Sequence, residues 1–349
     1  MKKKIWIKYW FYTISLLVII GVFNFIVDPY QQYRKSTFYH LAYTDSRELN
    51  SGLAKNFHFD SVILGTSMME NFHLDDIKKI LGFQKPIKLT MPGSSIYEQS
   101  IMLKTAFKHQ TIKNVLIGID FFSYYGDTHR LKYGEAFFPF YLYDENIFND
   151  YKYLISSDTT LKSFKALQHS KDKELYSYKN MYEWYWKDEN QNTLASIQNR
   201  WEHKENFDNK TTNNIKKFTY LKENFEKNLK PLLEKYKNTN FILIFPPYSI
   251  LAYKIYNERG YLTDFINFKI YITKSIENLK NVKVYDFEFA TKITHNLNNY
   301  YDLYHYKKHI TKWILQQIKK EDYQVNYSFE QSHKEKFLRN IQNYSIDIN

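Results

Sequence analysis

The stretch Ser61-Val62-Ile63-Leu64-Gly65-Thr66-Ser67-Met68-Met69-Glu70-Asn71 joins a short apolar run, a glycine and a serine. An apolar run of this length that ends at a glycine predicts a buried strand and then a tight turn. Apolar residues recur at three- and four-residue steps from Met68 to Leu81, which predicts that a helix begins directly after the turn. The sequence therefore places Ser67 between a strand and a helix.

Two roles suit a serine at this position. Open parallel sheets bind ligands at the carboxyl ends of their strands, and the free N–H groups and dipole of a helix N-terminus favour a developing anion. Serine is also a good helix N-cap, which is a structural role. This stretch alone does not separate a nucleophile from a cap, and a partner histidine elsewhere is needed to favour the nucleophile.

Further apolar runs alternate with helical patterns along the chain. Strands are predicted at residues 61–64, 85–91, 113–120, 240–245 and 282–287. Helices are predicted at about 96–109, 215–236 and 264–279, and after residue 306. This alternation at this spacing requires right-handed crossovers and a parallel sheet. The sequence thus predicts a three-layer α/β/α, flavodoxin-like domain with a five-stranded parallel sheet.

The strand–helix alternation stops between about residues 121 and 213, where aromatic residues are frequent, as in 137–141 and 182–186. We expect this segment to be an insertion that lies over the carboxyl edge of the sheet. Aromatic rings stack on sugars, so the rings either form a glycan cleft or make up the insertion's own core. Beyond residue 320 the chain is polar, and 321–349 is expected to be a peripheral tail.

The N-terminus carries the lysine cluster Lys2–Lys4 and then an uncharged run from Trp10 to Val27. With residues 5–9 this run reaches the ~20 residues that cross a bilayer, and aromatic residues flank it. Its end lacks the small-residue pair of a signal-peptidase site, so an uncleaved anchor is favoured over a cleaved signal peptide. The predicted organisation is a cytoplasmic tip and anchor at 1–30 and an extracytoplasmic α/β domain at 31–320, held by one span in the cytoplasmic membrane.

Composition narrows the class of protein. The 349 residues carry a formal net charge of +12 and no cysteine, which excludes disulfides and thiolate metal sites. A basic exported domain suits anionic lipid or acidic polymers. The lysines are dispersed and no nucleic-acid-binding motif occurs, so no nucleic acid partner is expected. No histidine pair has a clear metal-binding spacing, and we expect neither a metal nor a cofactor.

Asp302 and His305 lie on the predicted loop between the fifth strand and the final helix. A carboxylate three residues before a histidine can hold one ring nitrogen, so that the other takes a proton from a serine such as Ser67. A capping aspartate beside a surface histidine is the alternative. Because the serine follows the first strand and the pair follows the last, both open onto one edge of the sheet. Order and position therefore favour a Ser-His-Asp triad.

These residues resemble the sequence blocks of the SGNH/GDSL hydrolases. The resemblance rests on Gly65-Thr66-Ser67, on Gly93 and on Asp302-Leu303-Tyr304-His305. The anchor followed by Asp28-Pro29-Tyr30 is similar to the membrane-anchored branch that is related to alginate O-acetylation proteins and to the D-alanylation protein of teichoic acid synthesis. The resemblance covers most of the chain outside the insertion and the tail.

The resemblance implies a role for each residue. Ser67 would be the nucleophile, His305 the base and Asp302 its orienter, and the backbone amides of Ser67 and Gly93 would form the oxyanion hole. It implies a serine esterase or O-acyltransferase that acts on an exported cell-surface glycan through an acyl-serine intermediate. It also implies a membrane-bound O-acyltransferase as the partner that supplies the acyl group.

The sequence departs from the family pattern in two places. The family's third block usually supplies an asparagine as a further oxyanion donor, whereas the third strand here ends in Asp120, which cannot donate when ionised. The first block reads Gly-Thr-Ser rather than Gly-Asp-Ser. The Gly-x-Ser-x-Gly elbow of α/β-hydrolases is absent. The alternative function is a catalytically inert SGNH-like scaffold that binds glycan or organises an assembly complex.

Overall fold

The computed structural model describes residues 2–39, 46–168, 182–183, 193–203 and 218–345. Over these ranges the protein is an α/β structure with one mixed, mostly parallel sheet and one long apolar helix at the N-terminus.

Six strands form the sheet: Ser61–Leu64 (β1), Pro86–Lys88 (β2), Asn114–Gly118 (β3), Asn240–Phe245 (β4), Val282–Asp286 (β5) and Gln324–Val325 (β6). Their order is β2-β1-β3-β4-β5-β6; the first five are parallel and β6 runs antiparallel to β5. All five predicted strands are present. The expected five-stranded, all-parallel sheet is corrected to a mixed, six-stranded one, because the chain beyond Glu321 adds an edge strand.

Fifteen helices are numbered along the described chain. They are Lys2–Val27 (α1), Ser46–Asn56 (α2), Leu74–Leu81 (α3), Ile96–His109 (α4), Phe140–Tyr143 (α5), Tyr151–Leu154 (α6), Ser157–Gln168 (α7), Thr193–Glu202 (α8), Phe218–Asn224 (α9), Lys230–Lys235 (α10), Ile250–Glu258 (α11), Leu262–Ser275 (α12), Thr291–Thr294 (α13), Lys308–Lys320 (α14) and Tyr327–Gln342 (α15). A π-helical turn at Phe225–Leu229 joins α9 to α10.

Burial on both faces explains why the central strands are continuous apolar runs. All four residues of β1 are buried, as are Val115 to Gly118 of β3. Parallel strands that are covered on both faces require such runs rather than polar–apolar alternation. Because β1, β3 and β4 are neighbours in register, Leu64 lies opposite Ile117 and Gly118 lies opposite Ile244. The loops that leave these three strands therefore emerge side by side.

The helix after Ser67 begins later than predicted. Residues Ser67–Met69 form a single 3₁₀ turn, and α3 starts only at Leu74. The side chain of His73 accepts the N–H of Asp75 at 3.3 Å and caps α3. A cap sets the start of a helix, so the apolar periodicity that continues through Met68 overestimates its length.

The segment beyond Glu321 is not a peripheral tail over its described part. It forms β6 and α15, and α15 packs on α11 and α12. Phe337 and Ile341 are buried on one side of α15. A helix of mostly polar composition needs only one apolar stripe to pack, which overall polarity does not reveal. Residues 346–349 lie outside the described residues.

Residues 169–181, 184–192 and 204–217 lie outside the described residues, and they include much of the insertion predicted at about 121–213. The aromatic residues 184–186 and the start of the helix predicted at 215–236 fall there. Of the described aromatic residues, Phe138 stacks on Tyr143 with ring centroids 5.2 Å apart, whereas Phe137 is 71% exposed. Tyr182 and Glu183 are buried against the α/β domain, where Tyr182 donates to Asn50 Oδ1 at 2.7 Å.

The helix α1 contains a 23-residue stretch, Ile5–Val27, that is long and apolar enough to cross a membrane. It joins the domain through Asp28, which adopts a left-handed backbone conformation with φ of 51°. The Asp28 carboxylate accepts the N–H groups of Gln32 and Tyr33 at 2.8 Å each and the hydroxyl of Tyr153 at 2.9 Å. These bonds form a tight turn, so α1 enters the domain without a loose linker.

Candidate active site

The turn after β1 requires a glycine and fixes the residue that follows. Gly65 has φ of +145°, and a Cβ there would lie 2.6 Å from Cγ of Met69, so no other residue fits. Next along the chain, Thr66 donates through Oγ1 to Asp120 Oδ2 at 2.7 Å and accepts the N–H of Met68 at 3.3 Å. The backbone of Ser67 is thereby held at the carboxyl end of β1.

Ser67, His305 and Asp302 form one chain of hydrogen bonds. Ser67 Oγ lies 2.8 Å from Nε2 of His305, and His305 Nδ1 lies 2.7 Å from Oδ2 of Asp302. Both distances are normal for hydrogen bonds. The structure brings together these three sequence-predicted residues, although 238 positions separate the serine from the histidine.

The Asp302 side chain orders its own loop. Its Oδ1 accepts the N–H groups of Tyr304 and His305 at 2.8 Å each, which leaves Oδ2 to face the imidazole. Arg200 of α8 also lies 3.7 Å from Oδ2. A helix of the insertion therefore reaches the acidic end of the triad.

Contacts from other elements hold this loop against the serine turn. Tyr306 donates to the carbonyl of Met68 at 2.6 Å, which ties the residue after His305 to the residue after Ser67. Ser249, just after β4, donates to the carbonyl of Leu303 at 2.6 Å. These bonds hold the serine–histidine distance independently of any ligand.

The electrostatics of the pair favour an ionised aspartate and a basic histidine. Burial acts to raise the pKa of Asp302, but the hydrogen bonds and the charge of His305, with the N–H of Tyr304, together outweigh burial and lower that pKa to about 2. Burial likewise acts to lower the pKa of His305, and the bond and charge of Asp302 outweigh it and raise that pKa. Asp302 thus stabilises the imidazolium that forms when His305 takes a proton.

Asp120 occupies the place where the resemblance would put an asparagine. It is buried and accepts hydrogen bonds from the hydroxyls of Thr66 and Tyr248. It also caps the short turn that follows β3 by accepting the N–H of Phe122. These contacts give Asp120 the role of positioning Thr66, the residue that precedes the serine.

The triad opens into a cavity of about 440 Å³. Its lining includes Thr66, Ser67, Met68, Gly93, Ser94, Asp120, Phe122, Tyr125, Arg130, Lys132, Tyr248, Tyr304 and His305. Gly93, predicted as an oxyanion residue, therefore lies in the same cavity as Ser67. Its φ of +59° turns the chain sharply at the end of the loop after β2. Among the described residues, neither the Ser67 amide nor the Gly93 amide donates a hydrogen bond within the chain.

Two basic residues of the cavity were not predicted from the sequence. The Arg130 guanidinium donates to the carbonyls of Phe122 and Tyr125 at 2.7 and 2.9 Å and lies over the Tyr125 ring. Lys132 donates through Nζ to the carbonyl of Pro92 at 3.2 Å, directly beside Gly93. In a chain with 49 lysines and arginines, neither residue has a local pattern that marks it.

A buried acid and a buried ion pair lie behind the serine turn. Burial raises the pKa of Glu70 to about 7, although the charges of Lys88 and His305 oppose this rise. Lys88 on β2 donates to the Glu70 carbonyl at 3.0 Å and pairs with Glu183 at 2.9 Å. Sequence reasoning missed Glu70 and this pair, because the ion-pair partners are 95 residues apart.

Within the described ranges, no three His, Asp or Glu side chains converge as a metal ion would require. No protein-family model matches the sequence, and no curated protein matches it. Function is therefore inferred from the geometry of the site and from the sequence blocks that carry it.

Proposed function

We propose that the protein is a membrane-anchored SGNH-type serine esterase or O-acyltransferase that modifies an exported cell-surface polysaccharide. The observation that carries this proposal is the hydrogen-bond chain Ser67–His305–Asp302, with distances of 2.8 and 2.7 Å, at the wall of a cavity. The strand order β2-β1-β3-β4-β5 is that of flavodoxin-like, three-layer sheets, which supports the SGNH resemblance.

Acylation of the serine would begin with proton transfer. His305 Nε2 takes the proton of Ser67 Oγ as that oxygen attacks the acyl carbonyl carbon. The amides of Ser67 and Gly93 donate to the oxyanion that forms. When the tetrahedral intermediate collapses, His305 returns the proton to the leaving alcohol, and Ser67 keeps the acyl group as an ester.

Deacylation reverses these steps with a different nucleophile. A sugar hydroxyl or water gives its proton to His305 and attacks the ester carbon, and Ser67 recovers the proton as the acyl group leaves. A sugar hydroxyl gives O-acyl transfer, whereas water gives hydrolysis. In both reactions the same two amides stabilise the second oxyanion.

Lys132 is proposed as the third oxyanion donor. Asp120 accepts hydrogen bonds where the family has a donor, so that donor must come from elsewhere. The Lys132 ammonium lies beside Gly93 on the cavity wall. A positive charge there would favour the negative charge that develops in the transition state.

The anchor gives the proposal its cellular setting. The lysine cluster before the apolar span favours a cytoplasmic N-terminus, which would put the cavity on the extracytoplasmic side of the cytoplasmic membrane. Cell-surface polysaccharide is found on that side. We propose that a membrane-bound O-acyltransferase supplies the acyl group, as the resemblance implies.

One observation favours a second function, a catalytically inert SGNH-like scaffold that binds glycan or organises an assembly complex. Asp120 is an acceptor at the position of a family donor, and its buried contacts would suit a structural role. Under this alternative the Ser67–His305 bond would serve only to tie two loops together.

Acyl transfer to Ser67 separates the two functions. The purified full chain is treated with an activated acetyl ester, and mass spectrometry locates the acetyl group. We expect it on Ser67 in the wild type, and we expect Ser67→Ala to lower ester turnover by at least about 10³-fold because the nucleophile is lost. The exposed serine of α15 provides the control Ser332→Ala, which should keep wild-type turnover.

An experiment in cells could contradict the enzyme proposal. If deletion of the protein abolishes cell-surface acylation but Ser67→Ala leaves it at the wild-type level, the scaffold function holds and the enzyme proposal fails. A wild type that never carries an acyl group on Ser67 would contradict acyl-serine chemistry in the same way.

A further inference from the structure

A second apolar surface lies beside α1. Within residues 147–155, Ile147 and Phe148 are 73% and 85% exposed, and Tyr151 and Ile155 are also exposed. Large apolar side chains with this exposure, side by side, are unusual on a surface that faces water. These side chains lie beside the apolar helix α1, so one apolar environment could cover both.

This surface and α1 enclose an apolar groove of about 650 Å³. The α1 residues that line the groove are Ile14, Leu17, Val18, Gly21, Val22 and Phe25. Steps of three and four residues place these side chains on one face of the helix. Ile14 lies 13 positions before Val27, which is about 20 Å along the helix axis. The groove therefore runs beside at least half of the ~30 Å that a bilayer core spans.

Polar bonds inside the apolar segment fix α6 and α7 against α1. Asn24 donates to the carbonyl of Leu154 and to Oγ1 of Thr160 at 2.8 Å each, and it accepts from Ser163 at 2.9 Å. An asparagine in a membrane span is costly unless such partners satisfy it. These bonds join α1 to α6 and α7, so the three segments form one unit.

The helix α7 extends the apolar surface. Leu161, Phe164 and Leu167 are exposed at three-residue steps, and the ring of Phe164 lies 4.8 Å from that of Phe23 on α1. Lysines at 162 and 165 alternate with them, and lysine side chains are long enough to reach the headgroup level from within an apolar layer. This composition suits a helix at the boundary between lipid and water.

We propose that residues 147–167 are a second membrane contact, and that lipid acyl chains cover their apolar side chains and fill the groove beside α1. The occupant follows from α1 itself. When the stretch Ile5–Val27 crosses a bilayer, a surface that runs beside it to the level of Ile14 enters the same leaflet. The acidic residue of the lining, Asp150, accepts a bond from Tyr33 beyond the end of α1, and so marks the headgroup side.

The test uses the absence of cysteine from the chain. Phe148→Cys in the full chain carries a nitroxide label, and the protein is placed in lipid nanodiscs. Electron paramagnetic resonance then compares collisions with oxygen, which concentrates in lipid, and with a water-soluble nickel chelate. Leu16→Cys on α1 is the lipid reference, and Gln331→Cys, exposed on α15, is the water reference.

We expect the ratio of oxygen to nickel collisions at position 148 to be several-fold higher than at 331 and close to that at 16. A ratio equal to that at 331 overturns the proposal. Protection of position 148 from both reagents also overturns it, because a second copy or another protein then covers the surface. Ile147→Cys repeats the measurement if Phe148→Cys does not fold, and neither residue touches the triad.

Discussion

Single residues decide the protonation state of the candidate site. His305 must be neutral to accept the serine proton, and Asp302 raises the pKa of His305. Activity that depends on the neutral base rises with pH through this pKa. The acid limb of the pH–rate profile should therefore lie above the ordinary histidine value of about 6.5.

The substitution Asp302→Asn tests this dependence. Without the carboxylate the pKa of His305 falls, so the acid limb should move to lower pH. The maximum rate should drop by roughly 10³–10⁴-fold, because an amide favours the wrong imidazole tautomer. Ester hydrolysis measured across pH gives both values. An acid limb that stays in place would show that Asp302 does not set the pKa of the base.

Lys132 makes a separate prediction at this scale. Lys132→Met should lower kcat by roughly 10–100-fold, less than for an enclosed donor because Lys132 is exposed. Lys132→Arg keeps the charge and should retain part of the rate. The exposed Lys336 on α15 provides the control Lys336→Met. Wild-type kcat in Lys132→Met would place the third oxyanion donor elsewhere.

The residues of the triad were predictable, and the other ionisable residues around it were not. Strand ends in a parallel sheet meet at one edge, so a serine after β1 and an Asp-His pair after β5 could be brought together from the sequence. Neither Lys132 nor Glu70 has a position relative to a strand end that would identify it as a site residue. Their places depend on a loop conformation and on burial, and no short sequence pattern encodes either.

A buried group of charges connects α15 to α12 and β5. Lys269 of α12 lies 2.7 Å from Glu288 and 3.8 Å from Glu330 of α15, and it also bonds Asp286 of β5. All four side chains are buried. Burial raises the pKa of Glu288 to about 8 and raises that of Glu330 well above its ordinary value. Both acids therefore tend to hold protons in the folded state.

This gives stability a definite pH dependence. A carboxyl whose folded pKa lies above its unfolded value of 4.5 stabilises the fold fully below that value, and the contribution is lost as pH rises through the folded pKa, about 8 for Glu288. The melting temperature should thus fall as pH rises from about 4.5 to about 8. Glu330→Gln should flatten this fall, because the amide stays neutral and can still donate to Asp286.

Thermal melts at several pH values check this prediction, with Glu335→Gln, exposed on the same helix, as the control. An unchanged slope in Glu330→Gln would show that Glu330 does not hold a proton in the folded protein. The sequence could not supply this group of charges. It predicted β5 and a helix at 264–279, but an acid on an expected tail gives no sign of the lysine that it meets.

For the whole molecule, topology is the prediction to check. The lysine cluster before the apolar stretch Ile5–Val27 predicts a cytoplasmic position for residues 2–4 and an extracytoplasmic position for the domain. In intact cells without an outer barrier, a membrane-impermeant maleimide should label Gln331→Cys at once and Lys3→Cys only after permeabilisation. The reverse pattern would place the cavity in the cytoplasm and contradict a role in modifying exported glycan.

A long apolar helix at the N-terminus was predictable from length and composition, whereas its connection to the domain was not. Residues 10–27 show no charge, which suffices to predict a span. Nothing local indicates that Asn24 bonds Thr160 and Ser163, or that Tyr153 bonds Asp28. Contacts between positions more than a hundred residues apart arise from the fold, and the sequence patterns used here report only on neighbours.

The tight turn at Asp28 limits the positions that Ser67 can occupy relative to a membrane. With α1 in a bilayer, a domain joined by such a turn diffuses and rotates in the membrane plane but does not tilt away from it. Ser67 then stays at a nearly constant height above the lipid. Under the proposed function, only sugar units that pass at this height would meet Ser67, and units nearer to or farther from the lipid would not. The turn at Asp28 would then help to select which units of a polymer are modified, through their distance from the membrane.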